Sequence, residues 1–394
     1  MKTDKPNSTG GVTPLPPDSH YACDQRLEHM RRFCIECGAC VRECEFLRRH
    51  GTPWSIAGRV LEGRADLGRM PFECSLCGLC RAVCPLDLDP KAMLLDLRRR
   101  AVREGLGRFY GHGKLLTYEA RGASPLYSWY GLPEGCDTVF FPGCTLPGTR
   151  PAVTRMLFAQ LTATVPALGV VLDCCAKPCH DLGRESRFEA LFPEMRRWLA
   201  ERGVRRVLTA CPNCHKVFAA YGGPIKPVTV YEHLAAHGLP AEAQRTGTVA
   251  IHDPCPLRDN APVQDAVRTL AAGLGLEVQE MKHHGAETVC CGEGGTVRAV
   301  EPALAGLWGD IRRTESRGGM VMTYCAGCVN YLGAHLPAVH VLDALFTPRE
   351  ALAGRARVTQ APLTYLNRLR LKRWFKRHIR TAHSRVRPKG LIRG

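Results

Sequence analysis

Two stretches, "CIECGACVREC" and "CSLCGLCRAVCP", place cysteines at 34, 37, 40 and 44 and again at 74, 77, 80 and 84, the spacing C-x2-C-x2-C-x3-C twice over. Three thiolates so close in sequence can wrap one face of a four-iron cube, while the fourth crosses to a second cube. The expected sets are Cys34, Cys37 and Cys40 with Cys84, and Cys74, Cys77 and Cys80 with Cys44. Gly38 and Gly78 relieve crowding beside the sulfides. A zinc site would show two separated C-x2-C pairs rather than an eight-cysteine double array. Pro85 follows the second array and Glu45 the first, a minor departure at Cys44.

Ten further cysteines follow a different pattern. Cys174 and Cys175 are neighbours in "VVLDCCAKPCHDLG", and so are Cys290 and Cys291 in "VCCGEGG". Adjacent cysteines seldom form a disulfide, because bridging wants Cα atoms about 4.4–6.8 Å apart with the side chains facing each other. Two neighbouring thiolates point in different directions and can hold two irons of one multinuclear cluster, which a single zinc ion does not require. Glycines at 292, 294 and 295 let the backbone approach bulky sulfides. Ala176 follows the first pair instead, so that loop is expected to be tighter or differently turned.

The elements that position these residues are legible from residue 136 onward. Short apolar runs alternate with helical segments, the signature of an α/β layered domain. "DTVFFPGC" leads to Cys144, "LGVVLDCC" to Cys174 and Cys175, and "RRVLTACPNC" to Cys211 and Cys214. A second round runs through "GTVAIHDPC" to Cys255, "ETVCCG" to Cys290 and Cys291, and "GGMVMTYCAGC" to Cys325 and Cys328. If the runs are parallel strands, each set of five meets at their carboxyl ends, where open α/β sheets bind ligands. The rounds are offset by 111 residues between Cys144 and Cys255 and by 114 between Cys211 and Cys325, which points to a duplication.

A chain of 394 residues with 21 cysteines and 45% hydrophobic content is long enough for several cores. No signal peptide and no run of about 18 apolar residues appears, so a reducing cytoplasm is expected, with the cysteines as metal ligands. The +17 charge is mostly a tail: residues 351–394 hold 13 Lys and Arg and no acid, leaving +4 for the rest.

The first eight-cysteine array is that of a two-cluster ferredoxin, and the 29 residues between its halves suggest a helical one, as in respiratory iron–sulfur subunits. Followed by C-x29-CC-x35-C-x2-C and C-x34-CC-x33-C-x2-C, it resembles the cysteine-rich CCG-domain proteins typified by heterodisulfide reductase. The same order is similar to the iron–sulfur subunits of glycolate, lactate and anaerobic glycerol-3-phosphate dehydrogenases. The resemblance covers roughly residues 23 to 346 and implies one cluster on Cys144, Cys174, Cys175, Cys211 and Cys214 and another on Cys255, Cys290, Cys291, Cys325 and Cys328. In heterodisulfide reductase such paired clusters are noncubane [4Fe-4S] centres that cleave a disulfide one electron at a time. Five cysteines also suffice for four-thiolate ligation with one left over, so cubane and noncubane geometries both stand.

Other residues carry weaker signals. "CPNC" alone would suit a redox dithiol. Cys179 is read as a spare thiol rather than an alternative ligand, with Cys23 and Cys136 as similar leftovers. His180, His252, His283 and His284 lie near the ligand loops and are read as loop or core histidines before cluster-tuning ones. No G-x-G-x-x-G follows a predicted strand, so no flavin or nicotinamide site is expected, and electrons are exchanged with a flavoprotein or ferredoxin. The tail is read as solvated and partly disordered, with an amphipathic helix on anionic lipid or an acidic partner next and nucleic acid not expected.

The expected architecture is multidomain: a disordered segment (1–22), a helical ferredoxin (23–130), two duplicated α/β CCG domains with parallel sheets (137–245 and 246–348) and a basic tail (349–394). The expected function is an iron–sulfur oxidoreductase relaying electrons through two cubane [4Fe-4S] clusters to two CCG-bound clusters that reduce a disulfide-like or other two-electron substrate. The alternative is an electron-transfer subunit of a flavin-dependent 2-hydroxy acid or glycerol-3-phosphate dehydrogenase feeding quinone. Its place would be the cytoplasm or the cytoplasmic membrane periphery. A zinc scaffold with a nucleic-acid tail is the third reading.

Overall fold

The computed structural model describes residues 20–238 and 246–390. The segment expected to be disordered lies outside them as far as residue 19, and a helix begins at His20. From there to Gly122 every regular element is helical, the main ones being His20–Phe33, Pro53–Leu61, Pro90–Arg103 and Tyr110–Gly122. Local chemistry sets two of the starts. Thr52 Oγ1 accepts the Ser55 N–H at 3.1 Å and Asp89 Oδ1 accepts the Ala92 N–H at 3.0 Å, each with proline at the first helical position. Leu27, Met30, Phe46, Ile56, Leu94 and Leu97 form the buried core between these helices.

Among the described residues ten strands follow: β1 (Trp129–Leu132), β2 (Thr138–Phe141), β3 (Gly169–Leu172), β4 (Arg206–Thr209), β5 (Lys226–Thr229), β6 (Gly247–His252), β7 (Leu276–Gln279), β8 (Val321–Thr323), β9 (Ala338–His340) and β10 (His383–Arg385). The first sheet runs β10-β1-β3-β2-β4-β5 and the second β7-β6-β8-β9. Within them β3-β2-β4-β5 and β7-β6-β8-β9 are parallel and share one order, as a duplicated unit should. Strands β2 and β3 are buried at every position, which suits parallel strands covered on both faces.

Two expectations need correcting. The first sheet is mixed, because β1 lies antiparallel to β3 and β10 antiparallel to β1. The tail is not a solvated appendage. Its helix Leu363–His378 buries Leu371 and Phe375, with the Phe375 ring edge-on to Phe158 at 4.9 Å, and β10 then extends the sheet. Leu371 and Phe375 are four residues apart and so share one helix face, a pairing hidden among the arginines. Among the described residues no helix is long and apolar enough to cross a membrane.

The three units are tied together by Arg98, fully buried on the helix Pro90–Arg103. Its guanidinium donates to the carbonyls of Pro71 (2.9 Å), Cys74 (2.6 Å), Asp181 (2.8 Å) and Gly295 (3.0 Å), reaching the helical unit and both α/β units. Nearby His112 is buried against Phe72 and Phe109. Burial, reinforced by the Arg98 charge, brings its pKa down to about 4. An unfolded histidine titrates near 6.5, so between the two values the unfolded chain binds a proton that the native one refuses. The stability from neutral His112 is therefore full above about pH 6.5 and lost as pH falls toward 4. Denaturant unfolding should show a lower midpoint at pH 5 than at pH 7, and His112→Gln should shrink that difference.

Candidate metal centres

Among the first eight cysteines, Cys40 neighbours Cys34, Cys37 and Cys84, and Cys44 neighbours Cys74, Cys77 and Cys80. Burial lifts the Cys40 thiol to about 11, with Cys34, Cys84 and Cys37 adding to the rise. Burial followed by Cys77 and Cys74 raises Cys44, and burial followed by Cys77, Cys74 and Cys44 raises Cys80. Gly38 and Gly78 begin the short helices that carry Cys40 and Cys80, with φ of +74° and +81°, in the left-handed region that favours glycine. The first set lies near the surface, where Ile35 and Cys37 are exposed, whereas Cys74 and Cys77 are buried.

Both five-cysteine sets converge at strand ends. Cys144 follows β2, Cys174 and Cys175 follow β3, and Cys211 ends the turn from β4 as the N-cap of the helix Pro212–Tyr221, which carries Cys214 in its first turn. The thiols lie against one another and perturb one another in sequence: Cys174 stands between Cys144 and Cys175, and Cys214 between Cys175 and Cys211. The second set repeats it, with Cys255, Cys290, Cys291, Cys328 and Cys325 in the corresponding places. Held between two neighbouring thiols, Cys175 and Cys291 are each brought down to about 6, by Cys174 and Cys214 in one case and Cys290 and Cys328 in the other. Gly143 admits this crowding, since a Cβ there would lie 3.2 Å from Cys211 Cβ and 3.3 Å from Cys214 Sγ.

The loops after the two pairs are turned differently, as expected from Ala176. Ala176 has φ +59°, whereas Gly292 has φ +110° and a Cβ on it would sit 2.3 Å from the Tyr331 ring. The other two glycines serve a purpose that their spacing did not disclose. A Cβ on Gly294 would lie 2.7 Å from the Ser75 carbonyl and 2.9 Å from Cys290 Sγ, and one on Gly295 would lie 2.4 Å from the Cys74 carbonyl. They let the second CCG loop press against the loop carrying Cys74 and Cys77. Cys77 consequently faces Cys255, and Cys290 faces Cys77. Arg258 pins the junction, donating to the carbonyls of Cys77 at 3.2 Å and Thr288 at 2.5 Å.

The remaining candidates separate clearly. Cys179 Sγ donates to the Ala176 carbonyl at 3.1 Å and Cys136 Sγ to Thr138 at 3.3 Å, while Cys23 is buried in the helical core. His180 is bound by Asp181 and Tyr221, His283 by Glu315 and Glu43, and His284 by the Met281 carbonyl. Of these four histidines His252 alone points at a cysteine set, with a ring nitrogen and the sulfurs of Cys291 and Cys328 all within 4.8 Å of one another. Sequence reading missed three contributors. Arg368 of the tail helix approaches Cys144, and Tyr231 Oη donates between the carbonyls of Ala210 (2.8 Å) and Tyr324 (2.9 Å), the residues ahead of Cys211 and Cys325. Lys216 lines cavities shared by the helical unit and both α/β units; burial and the charges of Lys177 and Lys91 bring it down to about 8. Only the helical position of Lys216, two residues after Cys214, hinted at this.

The donor chemistry fits iron–sulfur clusters. Five thiols gathered at each strand end, most of them buried, exceed the four positions of a tetrahedral zinc site, and as thiolates they require several cations between them.

Comparison with known proteins agrees. Residues 33–89 match the 4Fe-4S dicluster domain, and residues 138–219 and 249–333 match the cysteine-rich CCG domain. One subunit of the fumarate reductase (CoM/CoB) of Methanothermobacter marburgensis is 27% identical over 332 residues, covering 75% of this chain and 66% of its own length. One subunit of the dihydromethanophenazine:CoB–CoM heterodisulfide reductase of Methanosarcina barkeri is 23% identical over 354 residues, covering 75% and 86%. The EtfAB:quinone oxidoreductase of Syntrophomonas wolfei is 25% identical over 279 residues, covering 66% of this chain and 36% of that protein. A solved aspartate racemase from Picrophilus torridus aligns over 58% of this chain and 99% of its own at 13% identity, with a TM-score of 0.25 that supports no argument.

Proposed function

We propose, for a chain that belongs with the iron–sulfur proteins joining a 4Fe-4S dicluster domain to CCG cysteine-rich domains, that it carries single electrons between an exposed port and a paired site where a two-electron substrate reacts. The observation that carries this reading is the junction of the Cys74–Cys77 loop with Cys255, Cys290 and Gly294. Four iron–sulfur clusters, two cubane ones on the first eight cysteines and two of cubane or noncubane type on the other ten, would supply reversible one-electron storage. The chain's residues do the rest. Ile35, Cys37 and Leu86 form an exposed rim for a redox partner, Arg98 and Arg258 hold the second loop against the second CCG site, and Tyr231 couples the two CCG halves. Lys216 faces Cys255 across a cavity from Cys77 and can attract an anionic substrate or protonate a leaving thiolate. A disulfide-like substrate suits two one-electron sites.

A second reading has its own support. The exposed rim and the outward row Arg370, Arg373, Lys376, Arg377 and Arg380 suit a flavoprotein and an anionic membrane surface, so that the chain serves as the electron-transfer subunit of a larger dehydrogenase. Copurification of a flavoprotein favours it.

Anaerobically purified protein should contain about 16 iron per chain, the content of four four-iron clusters. Cys175→Ala and Cys291→Ala should each lower that number and change part of the Mössbauer spectrum. About 8 iron, unchanged in both variants, confines the clusters to the ferredoxin domain and defeats the proposal.

A further inference from the structure

The duplication allows the two CCG sites to be compared position by position, and at one position they differ in chemistry. His252 ends β6 three residues before Cys255; Phe141 ends β2 three residues before Cys144. Phe141 is an ordinary core residue, packed edge-on against Phe218 at 5.3 Å. His252 is equally buried, but neither of its ring nitrogens has a hydrogen-bond partner among the described residues. Burying both polar atoms of an imidazole unpaired costs on the order of 1–3 kcal/mol for each, so a native protein that does so usually reserves them for something else.

What surrounds them indicates the purpose. A ring nitrogen and the sulfurs of Cys291 and Cys328 all lie within 4.8 Å of one another, a spacing that suits three donors around one metal atom. Thr323, the register partner of His252 on β8, also leaves its buried Oγ1 unpaired. In the first half the corresponding Thr209 sits beside Phe141 in register, and its hydroxyl is satisfied by Val228 and His215. The unpaired polar atoms thus belong to the second strand end, where the cysteines converge.

We propose that His252 is a nitrogen ligand to iron in the second CCG site, alongside Cys291 and Cys328, and that the two duplicated centres are therefore chemically unequal. The inference rests on the reading that the second cysteine set holds an iron–sulfur cluster. The neutral imidazole gives its lone pair to iron through one nitrogen and keeps its proton on the other, so no electron or proton moves on binding. A neutral donor adds no negative charge where a thiolate would, and imidazole ligation raises the potential of an iron–sulfur centre. The second centre, which adjoins the ferredoxin domain, is then the more oxidising of the CCG pair.

The test uses the full-length holoprotein purified anaerobically and reduced, with histidine labelled in turn as 14N and 15N, and pulsed EPR as the readout. Wild-type protein should show the strong nitrogen coupling of a directly bound imidazole, shifting with the isotope. His252→Phe, which installs the residue of the other half, should lose that coupling and lower one midpoint potential while keeping at least three of the four clusters. The labelled wild type needs no variant to fold. About 16 iron with no directly bound nitrogen overturns the ligation while leaving the CCG clusters in place. About 8 iron with no such coupling overturns both.

Discussion

Arg387→Ala is expected to remove about 3–5 kcal/mol of stability and to disturb the first CCG site far more than the second. Arg387 and Asp173 form an ion pair at 2.7 Å with both side chains at 0% exposure, so removing the guanidinium strands a carboxylate in the core. Asp173 also accepts the Tyr130 hydroxyl and, at 2.7 Å, the N–H of Cys174. Arg387 further donates to the Leu191 carbonyl at 2.9 Å. The damage therefore passes straight to the first cysteine pair. Guanidinium unfolding and iron per chain check it, and the double variant Asp173→Asn, Arg387→Met should recover part of the loss because no unpaired charge remains. An unchanged unfolding midpoint would mean that the tail strand contributes nothing.

Gly295→Ala should cost about 2–5 kcal/mol and slow electron passage between the ferredoxin and CCG sites. The Cβ would lie 2.4 Å from the Cys74 carbonyl and 3.0 Å from Arg98 Nη2, at a φ of +60°. Left-handed backbone costs a non-glycine residue about 1–2 kcal/mol. Overpacking a rigid contact adds about 1–3 kcal/mol, since backbone rather than a flexible side chain must yield. Gly318→Ala separates the two effects, because Gly318 has φ +76° and nothing within 4 Å of an added Cβ. The control should lose about 1 kcal/mol and leave stopped-flow reduction of the CCG centres unchanged, whereas Gly295→Ala should retard it.

The spacing of a motif reported faithfully on what one loop does and poorly on what two loops do together. That Cys40 would neighbour Cys84, and Cys44 would neighbour Cys74 and Cys77, was legible because a C-x2-C-x2-C run can reach only so far. The strand-end position of Cys144, Cys174 and Cys211 was legible because apolar runs of four residues precede them. Gly294 and Gly295 were read as serving their own loop, but the surface they accommodate belongs to Ser75 and Cys74, some 220 residues away in sequence. His252 was indistinguishable from His180, His283 and His284 until their partners were known. β1 was missed because Gly131 interrupts its apolar run, and β10 because His383, Ser384 and Arg385 form no apolar run at all. The tail misled for a related reason: Arg368 and Arg387 are buried ligands of the fold, and composition counts them as solvated charge.

The pairing of β1 with β10 also imposes an order on biosynthesis. Tyr130 lies opposite Arg385, so a strand made early waits for one made some 255 residues later. Synthesis proceeds from the N-terminus at roughly 5–20 residues per second, and the cysteines of the ferredoxin domain are complete by Cys84. The first CCG set has all its thiols by Cys214, yet Asp173 gains its counter-charge only at Arg387, after the second set has been finished at Cys328. Iron delivered during translation would meet the complete cysteine set of the ferredoxin before a first CCG site whose buried carboxylate still waits for Arg387.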